Sequence, residues 1–261
     1  MHRTIIEFGE LGIRSYGLAL VVAFWLAIEL SARLARRRGL DPVRILDLGL
    51  VVLVASLVGS RLFYVVTHWT DYGQDKLGIL RIWEGGLTFY GGLLFGVGFG
   101  MLYLWRRGMP VLGVSDLVAP QIALGIAVAR IGCFLNGCCF GKESGLPWAV
   151  VFPADCQAGW VMPGKHLHPT QLYSALANLV LFVVLRRLLK RGLPQGVVFA
   201  ALLVLYGSWR FAIDYLRFYE GNTYLGSSGI TSNQVISLAM IAVGLALGTI
   251  QMKRNKRGAV A

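Results

Sequence analysis

Apolar residues in this chain gather into long runs, and the polar breaks between them are mostly short and basic. The runs cover residues 14–34, 46–67, 87–105, 115–135, 170–189, 196–215 and 234–251. Each approaches the ~20 residues that a helix needs to cross a hydrocarbon core about 30 Å thick, so the pattern predicts seven transmembrane helices. No Pro/Ser-rich linker or hydrophilic block divides them and no convincing internal repeat relates them, which points to a single polytopic domain over residues 1–261. The opening segment Met1–Glu10 lacks the basic start, apolar core and small-residue cleavage site of a removable signal peptide. The first helix is therefore expected to stay in the mature protein.

Basic residues orient the runs. Arg33, Arg36, Arg37, Arg38 and Arg44 follow the first, and Arg106 and Arg107 the third. Arg186, Arg187, Lys190 and Arg191 follow the fifth, and Lys253, Arg254, Lys256 and Arg257 the last. These fifteen of the 25 lysines and arginines fall on one side, which the positive-inside rule makes cytoplasmic. The N-terminus is then outside and the C-terminus cytoplasmic. The long loop over residues 136–169, between the fourth and fifth helices, is expected on the outer, periplasmic face, folded over the membrane surface.

Composition agrees with that topology. Of 261 residues, 56% are hydrophobic and 15% charged, whereas soluble domains carry about 25% charged residues. Mean hydropathy is +0.64, and the expected class is an all-α integral membrane protein. The net charge of +12 would suit nucleic acid, but the basic clusters are short, they flank spans, and no nucleic-acid motif accompanies them. Topology and anionic lipid headgroups explain them, and no nucleic-acid partner is expected.

Three arginines need another explanation. Arg61 sits in Val58-Gly-Ser-Arg-Leu-Phe-Tyr64, Arg130 opens Arg-Ile-Gly-Cys-Phe-Leu-Asn-Gly-Cys-Cys-Phe-Gly141, and Arg210 closes Tyr206-Gly-Ser-Trp-Arg. An arginine at membrane depth costs about 2.5–3.5 kcal/mol on insertion scales, which makes each a functional candidate. Guanidinium forks match phosphate oxygens, so converging arginines would hold a phospholipid headgroup while its tails stay in the bilayer. Simpler roles stand beside this one. Arg210 and Asp214 are i,i+4 and can pair on one helix face, and Arg61 can snorkel towards an interface. The Gly-Gly pairs of Trp83-Glu-Gly-Gly-Leu-Thr-Phe-Tyr-Gly-Gly92 permit close helix approach and irregular backbone around a cavity.

In order along the chain, that glycine segment, Ser115-Asp116 with Ala119-Pro120, Arg130-Ile-Gly132 with Phe134 and Asn136-Gly137, His168-Pro-Thr-Gln-Leu-Tyr173 and Tyr206-Gly-Ser-Trp-Arg210 resemble the prolipoprotein diacylglyceryl transferase family. The resemblance runs from Tyr16-Gly17 to the last helix. It implies an enzyme at the outer face of the bacterial cytoplasmic (inner) membrane. There the diacylglyceryl group of phosphatidylglycerol would pass to the lipobox cysteine thiol of a prolipoprotein signal peptide, and glycerol phosphate would leave. Such chemistry suits the arginines: the thiol must lose its proton to be a good nucleophile, and the leaving phosphate needs positive charge as its carbon–oxygen bond breaks. Implied partners are phosphatidylglycerol, the precursor and membrane lipids; no cofactor is implied.

Carried over by position, the resemblance makes Arg130 the phosphate-binding arginine and Arg210 the stabiliser of the leaving group. Tyr206 and Tyr16 match tyrosines that hydrogen-bond the headgroup or orient the arginines, Asn136 and Gly141 keep positions of the signature, and Asp214 and Arg217 match supporting charges. Arg61 joins the headgroup contacts in the phosphate-clamp reading. Two departures stand out. Tyr90 occupies the family's histidine position, and a tyrosine with an ordinary pKa near 10 is a poor base at neutral pH. His168 is the best replacement among the four histidines, with His68, His166 and His2 behind it, although a His-Pro pair at a helix start can simply fix the chain's entry.

Cys133 and Cys138 stand where the family commonly has asparagine and glutamate. With Cys139 and Cys156 they all fall in or beside the outer loop, where disulfides are possible, Cys156 bridging to Cys138 or Cys139, and buried free thiols equally so. A metal site with His166 or His168 fits no common zinc spacing, and none is expected. The competing classes are a related lipid transferase or lipid-binding paralogue with another acceptor, and an anion transporter built on the intramembrane arginines. The missing inverted repeat counts against the transporter.

Overall fold

The computed structural model describes residues 4–8, 11–72, 76–81, 85–219 and 229–258. His2, Trp83, Glu84 and residues 220–228 lie outside them. Helices dominate: α1 (Ser15–Arg37), α2 (Pro42–Thr67), α3 (Phe89–Arg106), α4 (Val111–Asn136), a short α5 (Gln157–Val161), α6 (Thr170–Leu189), α7 (Val197–Ile213) and α8 (Ser232–Gly258). Two small antiparallel pairs add to the expected all-α fold: β1 (Thr4–Phe8) with β2 (Leu11–Arg14), and β3 (Val150–Val151) with β4 (His166–Leu167).

Five helices, α1, α2, α4, α6 and α8, are long and apolar enough to cross a membrane. The remaining two of the seven apolar runs form the 18-residue α3 and the 17-residue α7. Apolar side chains on these helices stay open: Val21 and Trp25 of α1 are 66% and 61% exposed, surface that water would penalise and lipid would not.

Residue contacts group the chain into two units, Ser31–Val114 and Met1–Leu30 with Ser115–Ala261. In the first, Asp41 caps α2 by accepting from the Val43 amide at 2.9 Å, with Pro42 at the first helical position, the place where proline's missing N–H costs nothing. α2 and α3 pack through glycine. A Cβ on Gly59 would meet Phe95 and the Gly91 carbonyl, and one on Gly91 would meet the Gly59 carbonyl, so this crossing tolerates no larger residue at either position.

In the second unit, Asp116 of α4 caps a helix far away in sequence. Its carboxylate accepts from the amides of Gly196 and Phe199, each at 2.7 Å, which satisfies two orphan donors at the start of α7. The loop between α4 and α6 folds around its own core of Phe140, Phe152, Cys156, Ala158 and Leu167. Residues 140–143 run through its centre. Lys142 N–H donates to Leu216 at 2.8 Å, Phe218 N–H to Phe140 at 3.2 Å and Gly141 N–H to His168 at 3.0 Å. A Cβ on Gly141 would strike His168 and the Leu216 carbonyl, so only glycine passes there. Gly141, expected among the substrate contacts, holds the loop together.

Candidate active site

The end of α4, the start of α6 and the end of α7 surround one small polar cavity, lined by Arg130, Cys139, Thr170, Ser174, Asn178, Tyr206, Trp209, Arg210, Ile213 and Arg217. Helix periodicity explains the set. Thr170, Ser174 and Asn178 are four apart on α6, and Tyr206 lies one turn before Arg210 on α7, so each helix turns one polar stripe inward. Arg130 and Tyr206 are electrostatic neighbours on this wall.

Arg210 does pair with Asp214, the partner expected at i,i+4, yet it keeps its place on the cavity wall. Asp214 is buried and fully used: Arg210 Nη1 and the Tyr219 hydroxyl donate to Oδ1, and the Thr231 hydroxyl donates to Oδ2. Tyr219 in turn accepts from Arg210 Nη2 at 2.9 Å and from Asn233 at 3.3 Å. Burial, reinforced by the Asp214 hydrogen bond, holds the Tyr219 phenol above its ordinary range, against the pull of Arg217. Arg217 packs its guanidinium over the Tyr219 ring at 5.1 Å. A carboxylate is therefore ringed by donors that fix Arg210 rather than left to meet substrate.

Among the described residues, three buried polar atoms of the wall residues have no protein partner: Trp209 Nε1, Arg217 Nε and Asn178 Oδ1. Leaving such groups unpaired costs about 1–3 kcal/mol each, so two donors and one acceptor are held ready for a polar ligand. Asn178, Tyr206 and Trp209 also line a second cavity between α6 and α7, about 1060 Å³, whose other walls include Leu176, Val180, Leu181, Val184 and Leu205. A charged pocket and an apolar groove thus share one edge, the shape complementary to a headgroup with its acyl chains.

Comparison with known proteins follows the same lines. The family described as prolipoprotein diacylglyceryl transferase matches residues 3–250. Among curated relatives, a phosphatidylglycerol–prolipoprotein diacylglyceryl transferase of Synechococcus elongatus is 37% identical over 97% of this chain and 88% of its own. Enzymes of the same name from Paraburkholderia phymatum and Vibrio atlanticus are 35% and 33% identical, over 97% and 96% of this chain and 94% and 91% of theirs. The chain belongs to the prolipoprotein diacylglyceryl transferase family.

On this cavity wall the fold unites Arg130, Tyr206, Arg210 and Arg217, with Asp214 behind them. Tyr16, 37% exposed on the first turn of α1, has Arg130 and the cysteines at 133, 138 and 139 as its electrostatic neighbours. His168 is not on the cavity wall. Its Nδ1 lies 3.4 Å from the Tyr173 hydroxyl, which also takes the Trp148 indole N–H at 2.7 Å. Asn136 ends α4 and interacts with the Cys138 side chain. Tyr90 is half exposed at the start of α3, edge-on to Phe89 at 5.8 Å.

Arg61, expected among the headgroup contacts, is held by loop carbonyls. It is buried in the Ser31–Val114 unit, where Nε donates to Ile79 at 2.8 Å, Nη1 to Gly85 and Gly86 at 2.7 and 3.1 Å, and Nη2 to Gly78 at 2.6 Å. Every guanidinium nitrogen is engaged by a carbonyl, which solves the burial of its charge without a phosphate. His68 is structural as well, stacked on Tyr64 with ring centroids 4.2 Å apart.

All four cysteines are free thiols. Cys156 packs into the loop core, its Sγ 3.1 Å from the Pro153 carbonyl. Cys133, Cys138 and Cys139 instead converge, their Sγ atoms within 4.8 Å of one another. Hydrogen bonds from Cys133 and Cys138, followed by the charges of Arg217 and Arg130, hold the Cys139 thiol below its ordinary range against the effect of burial. Asn178, Trp209 and Tyr219 escaped the sequence reading. Asn178, an amide in the middle of the apolar run of α6, carried a usable signal, since a polar residue at membrane depth needs a partner.

Proposed function

We propose that this chain transfers the diacylglyceryl group of phosphatidylglycerol to the cysteine thiol of a prolipoprotein, the first step of bacterial lipoprotein maturation. The observation that carries it is the shared edge between the arginine cavity and the apolar groove, in a chain whose family relatives bear that activity in their names. Arg130 binds the lipid phosphate, and Tyr206 keeps its guanidinium aimed. Arg210, fixed by Asp214, meets the charge that develops on glycerol phosphate, while Arg217 and Trp209 offer further donors to its oxygens. The acyl chains lie in the groove between α6 and α7.

The lipobox cysteine approaches from the loop side, where Tyr16 contacts the headgroup and His168 accepts the thiol proton. His168 is two residues from Thr170, whose hydroxyl holds the Cys139 carbonyl at 2.9 Å, so its segment borders the cavity. The same proposal has seven spans in one polytopic domain, the N-terminus outside, the C-terminus in the cytoplasm and the cavity on the outer face of the inner membrane. The basic last turns of α1, α3, α6 and α8 support it.

Expression in cells depleted of their own lipoprotein transferase tests it. Precursors should be lipidated by the wild type and accumulate with Arg130→Ala. Folded, membrane-inserted wild type that leaves precursors unlipidated would favour a paralogue with another acceptor.

A further inference from the structure

The three converging cysteines have no part in the scheme above, and the backbone is shaped to bring them together. Cys133 lies in the last turn of α4. The chain then reverses at Gly137, φ 67°, and Cys139 itself holds φ 61°, alone among the described non-glycine residues in being positive. A left-handed non-glycine residue costs about 1–2 kcal/mol and persists only where its surroundings enforce it. Here Gln171 Nε2 donates to the Cys138 carbonyl at 2.8 Å, Thr170 donates to that of Cys139, and the Cys138 amide donates to Cys133 at 3.1 Å.

The triangle has the dimensions of a metal site. With Zn–S distances of about 2.3 Å, tetrahedral thiolates stand about 3.8 Å apart, inside the 4.8 Å limit already met by the free thiols. Sulfur donors without a carboxylate select thiophilic cations over magnesium or calcium. Three thiolates and one divalent ion leave a single negative charge, and Cys139 shares its cavity wall with Arg130 and Arg217.

We propose that Cys133, Cys138 and Cys139 form a three-thiolate site for a zinc-class divalent cation, whose fourth position adjoins the arginine cavity and takes the acceptor thiol. This rests on the transferase reading. Three protein ligands with one open position is the pattern of catalytic zinc, and a coordinated thiol is deprotonated outright. The acceptor thiol displaces a bound water and gives its proton to His168 or solvent. Its sulfur lone pair then forms the bond to the glycerol carbon while the carbon–oxygen bond breaks. That electron pair goes to the phosphate oxygen, glycerol phosphate departs against the arginines, and no oxidation state changes. The base missing at Tyr90 is then needed only to receive a proton that the metal has already loosened.

Elemental analysis and Co²⁺ titration of the purified full chain test this. Close to one metal per chain is expected, with thiolate-to-cobalt charge-transfer and tetrahedral ligand-field bands that C133S, C138S and C139S each lose and C156S keeps. Chelation of the wild type should lower transfer by at least about tenfold, and Zn²⁺ should restore it. This reversal requires no variant to fold. Failure to bind Zn²⁺ or Co²⁺ with all three thiols still titrating as free overturns the site, as does binding that survives loss of any one of them. Undiminished transfer by the chelated chain overturns its role while the transferase reading stands. A metal-loaded, folded chain that transfers nothing overturns that reading, and the acceptor role with it.

Discussion

Removing the Asp214 carboxylate should separate the stability of the site from its chemistry. Its side chain is 0% exposed and that of its partner Arg210 is 13% exposed, and Tyr219 and Thr231 also donate to it. Asp214→Ala therefore orphans one charge and two hydroxyls. Breaking a buried ion pair from one side costs about 3–5 kcal/mol, and the opening of Arg210 to the cavity argues for the lower end, about 3 kcal/mol. Asp214→Asn retains an oxygen for Arg210 and Tyr219 but loses the charge, so about 1.5 kcal/mol is expected. Thermal unfolding in detergent reads both numbers.

A freed Arg210 no longer meets the leaving phosphate, and loss of one such donor lowers kcat by roughly 100-fold. The effect should fall on kcat with little change in KM, since Arg210 acts as the bond breaks. Steady-state lipidation of a precursor peptide in phosphatidylglycerol vesicles measures that split. An Asp214→Ala protein as stable as the wild type, with unaltered kcat, would refute the assignment of Asp214 as the residue that positions Arg210.

Other consequences follow from single contacts. Asp116→Ala removes both side-chain bonds to the start of α7 and should destabilise the protein by about 1–2 kcal/mol, seen in thermal unfolding. Leu205→Trp narrows the apolar groove and should raise KM for phosphatidylglycerol roughly tenfold with kcat retained, as kinetics over a lipid titration would show. Tyr219 has its folded pKa raised above the ordinary 10.0. Its contribution is full below that value and is lost as pH rises through the folded pKa. Stability should thus fall on the alkaline side, and Tyr219→Phe should flatten that fall in pH-dependent unfolding.

Helix positions were legible because their cause is local. Apolar runs of membrane length gave the seven helical segments, with α2 and α4 beginning earlier than expected, at Pro42 and Val111, and α8 running on to Gly258. Arg210 with Asp214 was legible for the same reason, as an i,i+4 pair. The surroundings of Arg61 were not, since its acceptors lie 17 to 25 residues away in loop backbone, and no pattern of side chains announces a carbonyl. Asp116 capping a helix 80 residues on is hidden likewise. For the cysteines, spacing alone did not announce that three thiols converge; the positive φ of Cys139 lies in the turn that brings them together.

Purified chain reconstituted with phosphatidylglycerol and a lipobox-bearing precursor peptide gives the most direct test, read by mass spectrometry. The wild type should add one diacylglyceryl group at the cysteine sulfur and release glycerol phosphate, while Arg130→Ala, unfolding at the wild-type temperature, should add none. A folded wild type that leaves the peptide unmodified, or an Arg130→Ala protein that matches its rate, would contradict the arginine cavity as the seat of diacylglyceryl transfer.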